Sequence, residues 1–361
     1  MGAAWERLVR LAEETGATLH EPVVGSAVGH RHRARLMVRG RPASPKVGIF
    51  QAGTHRIVDT PRCAVHHPRI NEVAAILKRA MRATGSEPYV DRPHRGRVRA
   101  VQVVVERKSE QVQVVLVTRD DNSAAAEPLL DVFEGELAAM GRHSLWWNGQ
   151  PDRSNVILGP HWQHRVGPDA VRESIGGAEV FFPPAAFGQA NLPLADRLVS
   201  EVHEWVGDAE RVVEWYAGCG AIGLGLLASG RRVDFNEQSP ASLEGLRRGV
   251  DALGPAAAAR AAIFPGSAGD FARLAPGGST GIVDPPRRGL DPGLCAALAE
   301  EPPARLIYVS CGLESFERDV ERLLAPGHLR LSRLRPYALF PYTHHIETVG
   351  LLEREGPSTA A

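Results

Sequence analysis

The chain has few cysteines, few aromatic side chains and no long apolar run. The four cysteines in its 361 residues are Cys63, Cys219, Cys295 and Cys311. This wide spacing is not that of a disulfide framework, so we expect a reducing, cytoplasmic setting. No run of roughly 18 apolar residues occurs, and the amino terminus has no apolar signal-peptide core. We therefore expect no membrane span and no secretion signal.

The chain also has no net charge, because 42 Lys and Arg residues balance 42 Asp and Glu residues. The balance is uneven, since residues 28–108 contain 18 Lys and Arg against 5 Asp and Glu. Such asymmetry favours a polyanionic partner such as nucleic acid. The alternative is a solvated basic face with no specific partner.

The spacing of short apolar runs along the chain predicts two domains. Residues 1–180 hold β-rich runs between helical patterns, which predicts a basic, mixed α+β domain. The runs that we predict as strands there are Arg33–Arg39, Lys46–Gln51, Arg97–Arg107, Gln111–Thr118, Ser144–Trp147, Val156–Leu158 and Glu179–Phe182. In residues 181–361, short strands alternate with helices, which predicts an α/β fold with a doubly wound, mostly parallel sheet. A last strand is predicted at His345–Leu352.

A glycine-rich segment follows the first strand of the second half. It reads Tyr216-Ala-Gly218-Cys-Gly220 and opens a helix, and Glu237 ends the next strand about 20 residues on. Glycines let a backbone approach a ligand closely, and a strand-end carboxylate can bind a ribose hydroxyl pair. This pattern predicts a nucleoside-bearing cofactor, either a nicotinamide dinucleotide or S-adenosylmethionine. A tight structural turn is the alternative.

A second motif, Asp284-Pro-Pro-Arg-Arg-Gly289, follows the apolar strand at 280–283. Its two prolines make a rigid turn that directs polar groups into the crevice at the sheet edge. Asp-Pro-Pro is common in enzymes that methylate nucleobases, which favours S-adenosylmethionine. A turn with a helix cap is the alternative.

Two further residues have the chemistry of covalent catalysis. Cys311 ends the buried strand that begins at Leu306, where a thiol is either a nucleophile or an inert core residue. Glu347 lies among apolar residues of the final strand, where burial would raise its pKa and suit it as a base. An exposed edge-strand position is the alternative for Glu347. Cys63-x-x-His66 lacks a second ligand pair, so we predict no metal site.

Five ordered motifs resemble the RNA uracil-C5 methyltransferase family, which acts on transfer or ribosomal RNA. They extend from about Phe182 to the end of the chain. They are Phe187-Gly-Gln189-Ala-Asn191, Tyr216-Ala-Gly-Cys-Gly, Asp284-Pro-Pro-Arg-Arg-Gly, Tyr308-Val-Ser-Cys311 and Phe340-Pro-Tyr-Thr-His-His-Ile-Glu347. The basic segments Arg31-His-Arg-Ala-Arg and Val58-Asp-Thr-Pro-Arg-Cys63 resemble the family's central domain more weakly.

The resemblance implies a Rossmann-like class I methyltransferase domain at 181–361 and an RNA-recognition domain at 1–180. It implies that Cys311 adds to carbon 6 of uracil and that Glu347 removes the proton from carbon 5. The residues that it places at S-adenosylmethionine are Gln189, Tyr216, Gly218, Glu237 and Asp284. Asp284 has the uracil as an alternative partner. We expect an RNA substrate bound through the Arg-rich domain, ribosomal rather than transfer RNA, and a monomer.

The sequence departs from the family pattern in several places, among them the cluster cysteines and the residue after the nucleophile. Many relatives hold a [4Fe–4S] cluster with four cysteines, of which only Cys63 has a counterpart here, so we expect no cluster. Gly312 stands after the nucleophile where the family usually has asparagine. Two other functions remain open at this point. One is amino-methylation of a base through Asp284-Pro-Pro-Arg, and the other is RNA binding without catalysis.

Overall fold

The computed structural model describes residues 2–54, 56–343 and 345–355, which form two compact units. Unit 1 comprises the described parts of 1–25, 174–181 and 193–361. Unit 2 comprises the described parts of 26–173 and 182–192. The predicted tail at 356–361 and His344 of the last motif lie outside the described residues.

The division into units differs from the boundary that we predicted at residue 180. The first 25 residues belong to unit 1 because β1 (Thr18–Leu19) pairs in parallel with the strand at Leu329–Tyr337. Residues 182–192, which contain Gln189, belong to unit 2. Strand pairing between distant segments decides both assignments, and the run of motifs along the chain does not reveal it.

The described residues contain seventeen strands and nine α-helices. In chain order the strands are β1 (Thr18–Leu19), β2 (Arg33–Arg41), β3 (Ser44–Phe50), β4 (Ile57–Asp59), β5 (Val98–Val105), β6 (Val112–Thr118), β7 (His143–Gly149), β8 (His161–Val166), β9 (Val171–Ile175), β10 (Ala178–Phe182), β11 (Arg211–Trp215), β12 (Arg232–Glu237), β13 (Ala261–Pro265), β14 (Thr280–Val283), β15 (Arg305–Ser310), β16 (Leu329–Tyr337) and β17 (Glu347–Arg354). The helices are α1 (Gly2–Thr15), α2 (Pro68–Thr84), α3 (Glu127–Ala138), α4 (Leu192–Val206), α5 (Gly223–Ala228), α6 (Pro240–Ala252), α7 (Pro255–Ala258), α8 (Pro292–Glu300) and α9 (Leu313–Leu324).

Unit 1 is built on an eight-stranded sheet with the order β1-β16-β17-β15-β14-β11-β12-β13. All neighbouring strands are parallel except β17, which runs antiparallel to both β15 and β16. The central strands are buried along almost their whole length, as in a sheet covered on both faces. This confirms the predicted α/β fold with a mostly parallel sheet.

Unit 2 is built on a seven-stranded sheet with the order β4-β3-β2-β5-β6-β7-β8. Neighbouring strands are antiparallel, apart from β6 and β7. One face packs on α2 and α3, and the core residues Leu36, Val38 and Val103 lie there. The predicted hairpin of β5 and β6 is confirmed, because these strands pair in antiparallel register from Val98–Thr118 to Val105–Val112.

One predicted strand in unit 2 is wrong, and strands in both units were not predicted. Val156–Leu158 is not a strand, because its carbonyls accept from the side-chain amide of Gln150 instead of from a neighbouring strand. The strand that pairs with β7 is β8, whose alternation of polar residues hid it. β16 has charged residues on its exposed positions and was not predicted, although it separates β1 from β17.

Candidate active site

Five of the predicted site residues lie at one edge of the unit 1 sheet. Glu237 is the last residue of β12, Asp284 follows β14, and Cys311 follows β15. Tyr216 and Gly218 follow β11. Parallel strands carry their chemistry at their carboxyl ends, so the topology alone gathers these side chains.

Glu347 reaches the same edge from the opposite chain direction. It is the first residue of β17, which runs antiparallel to β15. The register pairs Ser310 with Thr348, so Cys311 and Glu347 are the next residues beyond that pair. Neighbouring strands are about 4.8 Å apart, and directly opposed residues share a face of the sheet. The antiparallel insertion of β17 therefore brings the thiol and the carboxyl together.

Burial controls the charge of the two carboxyl groups beside the thiol. Glu347 is 3% exposed, and burial raises its pKa to about 8, with a further contribution from the charge of Asp284. Burial likewise raises the pKa of Asp284 to about 7. Arg287 acts in the opposite direction on the pKa of Glu347. Both acids therefore titrate near neutral pH, where a general base is most useful.

The Cys311 thiol is half-buried and is held in its neutral form by its surroundings. Burial raises its pKa to about 11, and the charges of Glu347 and Asp284 add to this effect. Arg287 lowers the pKa of the thiol. Because the thiolate is the nucleophile, the proton must be removed before attack.

The loop that begins at Asp284 is held by α9. Asp319 is fully buried, and its Oδ2 accepts from the Leu290 backbone N–H at 2.8 Å and from the Tyr308 hydroxyl at 2.9 Å. Arg318 donates to the Arg288 carbonyl at 2.6 Å and to Asp319 at 2.9 Å. Since Tyr308 lies on β15, one carboxylate connects the loop with the strand that carries Cys311.

Close packing explains two glycines at this edge. Gly289 has φ +89°, and a Cβ there would lie 2.2 Å from Asp319 Oδ2. A Cβ on Gly312 would lie 2.9 Å from Ser315 Oγ and 3.0 Å from the Arg287 carbonyl oxygen. The residue after the cysteine therefore packs against the Asp284 loop, and a side chain there requires that loop to shift.

The glycine-rich loop is tied to β12 and to the Asp284 loop. Glu237 accepts from the backbone N–H of Gly218 at 2.8 Å and from Gln238 and Ser239 at 2.8 and 2.6 Å. The Tyr216 hydroxyl accepts from the Asp291 backbone N–H at 2.8 Å. A Cβ on Gly218, which has φ +57°, would meet nothing within 4 Å, so open space borders this loop. A strand-end carboxylate beside an open, glycine-lined space fits a nucleoside-bearing cofactor.

Glu214 and Arg287 are site residues that the sequence reasoning missed. Glu214 lies on β11, is 1% exposed, and its Oε2 has no hydrogen-bond partner among the described residues. Burial raises its pKa well above the usual value, and the charges of Asp284 and Glu237 add to this effect. The signal for Glu214 is an acidic residue inside the apolar run before the glycine-rich loop. Arg287 belongs to the Asp284 motif, but the motif alone does not show that its charge acts on Cys311.

Gln189 belongs to unit 2, whereas the other predicted cofactor residues belong to unit 1. Its segment is fixed within unit 2, because Arg33 Nη1 donates to the Ala186 carbonyl at 2.8 Å. The Arg33 guanidinium also lies 5.6 Å from the centre of the Phe182 ring. The contact of Gln189 with the cofactor remains a prediction.

The side-chain amide of Asn71 contacts both Cys63 and His66. Asn71 donates to the Cys63 carbonyl at 3.1 Å, and its Oδ1 lies 3.3 Å from the His66 ring nitrogen. Across the described ranges, no three His, Cys, Asp or Glu side chains are grouped as metal ligands. No helix in these ranges is long and apolar enough to cross a membrane.

The sequence and the fold both match known RNA methyltransferases. Residues 277–355 match the family model described as tRNA (uracil-5-)-methyltransferase. An uncharacterized RNA methyltransferase of Protochlamydia amoebophila is 35% identical over 97% of this chain and 92% of its own length. A second, from Parasynechococcus marenigrum, is 32% identical over 91% of this chain and 70% of its own length.

A solved structure extends this similarity to almost the whole chain. It is the Pyrococcus abyssi tRNA (uracil-54, C5)-methyltransferase in complex with S-adenosyl-L-homocysteine. The two chains are 26% identical with a TM-score of 0.78, covering 96% of this chain and 80% of the other. The cofactor of this chain is S-adenosylmethionine, and its fold is that of class I methyltransferases. The chain belongs to the RNA uracil-C5 methyltransferase family.

Proposed function

We propose that this protein methylates carbon 5 of a uridine in RNA, with Cys311 as the nucleophile and Glu347 as the base. The observation that carries the proposal is the register of β15 and β17, which puts these two residues next to each other beyond the Ser310–Thr348 pair. A thiol and a carboxyl group with a raised pKa at one sheet edge suit covalent addition followed by proton removal.

The chemistry needs the thiol because carbon 5 of uracil is a weak nucleophile. The Cys311 thiolate forms a bond to carbon 6, and the electron pair of the 5,6 double bond moves to the O4 enolate. S-adenosylmethionine, when bound, would supply an electrophilic methyl group to carbon 5 of this enolate and would leave as S-adenosylhomocysteine. Glu347 then takes the proton from carbon 5, and the bond between sulfur and carbon 6 breaks as the double bond re-forms. Cys311 leaves unchanged, and one proton is released overall.

Protonation states decide when each group can act. Below a pH of about 8, Glu347 holds a proton in the substrate-free protein, and Cys311 is a neutral thiol. Loss of the thiol proton is opposed by Glu347 and Asp284 once these acids are ionised, and is favoured by Arg287. Arg287 therefore supports thiolate formation, because it is the cation among these groups.

The proposed cofactor contacts follow from the same edge of unit 1. Tyr216, Gly218 and Glu237 hold the ribose and the adjacent part of the cofactor, and Gln189 remains a cofactor contact that only the family resemblance predicts. Asp284 contacts the cofactor or, as the alternative, the uracil. Its position after β14, next in the sheet to β15, supports either role.

The RNA substrate is proposed to be ribosomal, with transfer RNA as the second candidate. Similarity to the Pyrococcus abyssi tRNA (uracil-54, C5)-methyltransferase favours the second candidate. Mass-spectrometric mapping of 5-methyluridine in both RNA classes, from cells with and without the gene, distinguishes them. We expect one uridine in ribosomal RNA to lose its methyl group when the gene is deleted.

Substitution of the nucleophile tests the mechanism. In RNA that carries 5-tritiated uridine, Cys311→Ala should abolish tritium release and the covalent adduct with 5-fluorouridine RNA. Cys63→Ala is a matched control, because Cys63 is also a half-buried free thiol and lies in unit 2. Unchanged methylation by the Cys311→Ala enzyme would contradict covalent catalysis and would point to amino-methylation through Asp284-Pro-Pro-Arg.

A further inference from the structure

A groove in unit 2 combines cationic and apolar side chains on the face of the sheet away from α2 and α3. On β2, the fully buried Leu36 and Val38 pack in the core with the helices. Alternate residues of a strand point to opposite faces, so Arg35, Met37 and Arg39 face the other way. These three residues line a cavity of about 430 Å³, together with residues of β3 and the loop at 154–157.

The rim of the groove exposes apolar side chains that a solvated basic face does not need. Ile49 is 50% exposed, Phe50 37% and Val156 62%. All three line the same cavity. Scattered single exposed apolar residues are normal, but a cluster around one concavity marks a binding surface.

Guanidinium groups stack on aromatic rings along this groove. The Arg39 guanidinium carbon lies 5.5 Å from the centre of the Phe50 ring and 5.2 Å from that of Tyr89. Arg99 lies 4.5 Å from the Tyr89 ring. Tyr89 is buried and supports the arginines from below, so Phe50, which is partly exposed, is the ring on which another flat group can stack.

The groove is also held rigidly on its far side. The Arg99 guanidinium donates to the carbonyls of Gln150 and Asp152 at 2.6 Å each, and to that of Ser154 at 3.0 Å. The loop that carries Val156 is therefore fixed to β5 by one buried side chain. A surface fixed before binding loses less conformational entropy when its partner arrives.

We propose that this groove binds an unpaired segment of the RNA substrate, with bases on its apolar and aromatic side chains and phosphates at its arginines. The proposal rests on the RNA methylation proposed above and names a second contact region for that substrate, within unit 2. Of the three arginines that line the groove, Arg99 is buried against backbone carbonyls and Arg39 forms an ion pair with Asp91 at 3.1 Å. Arg35 is exposed, so Arg35 and Arg39 are the cations that a phosphate can reach. This charge complements a polyanion.

The residues that line the groove favour single-stranded RNA over duplex RNA and over an acidic peptide. A duplex hides its bases inside the stack and presents phosphates and sugars, which gives Ile49, Phe50 and Val156 nothing to pack on. An acidic peptide would match the arginines, but it offers few flat groups for the exposed ring. Unpaired nucleotides supply both the negative charge and the planar surface.

Binding of RNA by the full-length protein tests the groove. The probes are a fluorescein-labelled single-stranded RNA of mixed sequence and a fully paired duplex of the same length. Phe50→Ala should weaken single-stranded binding about tenfold, the loss expected for one stacked base, and leave duplex binding unchanged. Arg35→Gln should lower the slope of log affinity against log salt by about 0.7, the value for one phosphate on a single strand.

Two substitutions separate this role from a general loss of structure or charge. Phe50→Trp should retain the affinity because it keeps a stacking surface, whereas Phe50→Leu, which keeps only apolar area, should not. Arg79→Gln is the matched charge control, because Arg79 lies 54% exposed on α2 at the other face of the sheet. It should leave the single-stranded affinity and the salt slope unchanged.

The outcomes distinguish this proposal from the proposed reaction. The proposal that the groove binds RNA would be wrong if wild type, Phe50→Ala and Arg35→Gln had equal affinities for single-stranded RNA, whatever the methylation assay shows. Equal losses with the duplex would overturn the selection of unpaired RNA. If wild type binds single-stranded RNA through the groove but releases no tritium from 5-tritiated uridine RNA, the reaction fails and the groove stands.

Discussion

At the residue scale, the site depends on ionisable groups placed where water does not reach. Glu347 and Glu214 are almost completely buried, and Cys311 is half-buried beside Glu347 and Asp284. Burial favours the neutral form of each acid, so each pKa is displaced upward. Such groups lower the stability of the empty protein at high pH because the folded state must ionise them in a poor solvent.

Replacement of Glu347 by glutamine makes this cost measurable. The pKa of Glu347 rises from an ordinary value of 4.5 to about 8 on folding, so the folded state binds its proton more tightly than the unfolded state does. The stability of wild type should therefore fall, relative to Glu347→Gln, between about pH 4.5 and 8, and the difference should be constant above that. Each unit of pKa shift corresponds to roughly 1.4 kcal/mol.

Urea denaturation at pH 6, 7, 8 and 9 measures the difference. Glu353→Gln is the matched control on the same strand, where Glu353 forms an ion pair with Arg330 instead of lying buried among apolar groups. Its stability difference from wild type should not change from pH 6 to pH 9. A pH-independent difference for Glu347→Gln would contradict the raised pKa.

At the element scale, α9 fixes the geometry of the two segments that carry Asp284 and Cys311. The buried Asp319 accepts hydrogen bonds from Leu290 of the loop and from Tyr308 of β15. The two donors belong to different segments, a loop and a strand, and a single carboxylate binds both. Gly289 and Gly312 then allow the backbone to pack closely around this point.

Removal of the Asp319 carboxylate should destabilise unit 1 strongly. Asp319→Ala leaves the Leu290 N–H and the Tyr308 hydroxyl buried without an acceptor, so we expect a loss of about 3–5 kcal/mol in the free energy of unfolding. Tyr308→Phe should cost only about 1 kcal/mol. The double variant should cost less than the sum, because both changes break the same hydrogen bond.

Urea denaturation of the three variants gives these values. Glu321→Ala, at an exposed position of the same helix, serves as the control and should lie within about 0.5 kcal/mol of wild type. Additive losses in the double variant would show that Asp319 does not act through Tyr308.

At the scale of the whole molecule, chain order and spatial grouping differ. β1, near the start of the chain, completes the sheet of unit 1, whose other strands begin at Arg211. Leu8 of α1 is fully buried. The first 25 residues are therefore part of the unit that carries the candidate active site and not part of the basic unit that follows them in sequence.

Leu8→Ala tests this grouping. Truncation of a fully buried leucine should cost about 2–5 kcal/mol of stability, and the loss should appear as a lower melting temperature. Glu6→Ala on the same helix, at an exposed position, should have almost no effect. A Leu8→Ala protein with the wild-type melting temperature would contradict the packing of α1 on unit 1.

The sequence alone determined the fold class, the family and the order of the motifs. The ends of strands can be recognised from local sequence, because an apolar run followed by glycine, proline or a polar residue is compatible with few other local conformations. Parallel strands place their carboxyl ends at one edge, so Glu237, Asp284 and Cys311 could be assigned to a common edge in advance. Val156–Leu158 was the local failure, because a glutamine side chain satisfies its carbonyls in place of a strand.

Only the tertiary structure decided how the remaining groups meet. The pairing of β17 with β15 is a contact between distant segments, and it turns a glutamate in an apolar strand into the neighbour of Cys311. Three further features likewise depend on three-dimensional packing. They are the hydrogen bonds that Asp319 accepts, the burial of Glu214 and the place of Gln189 in unit 2. Hydrogen bonding and burial at these positions are set by residues far away in the chain, which no local pattern records.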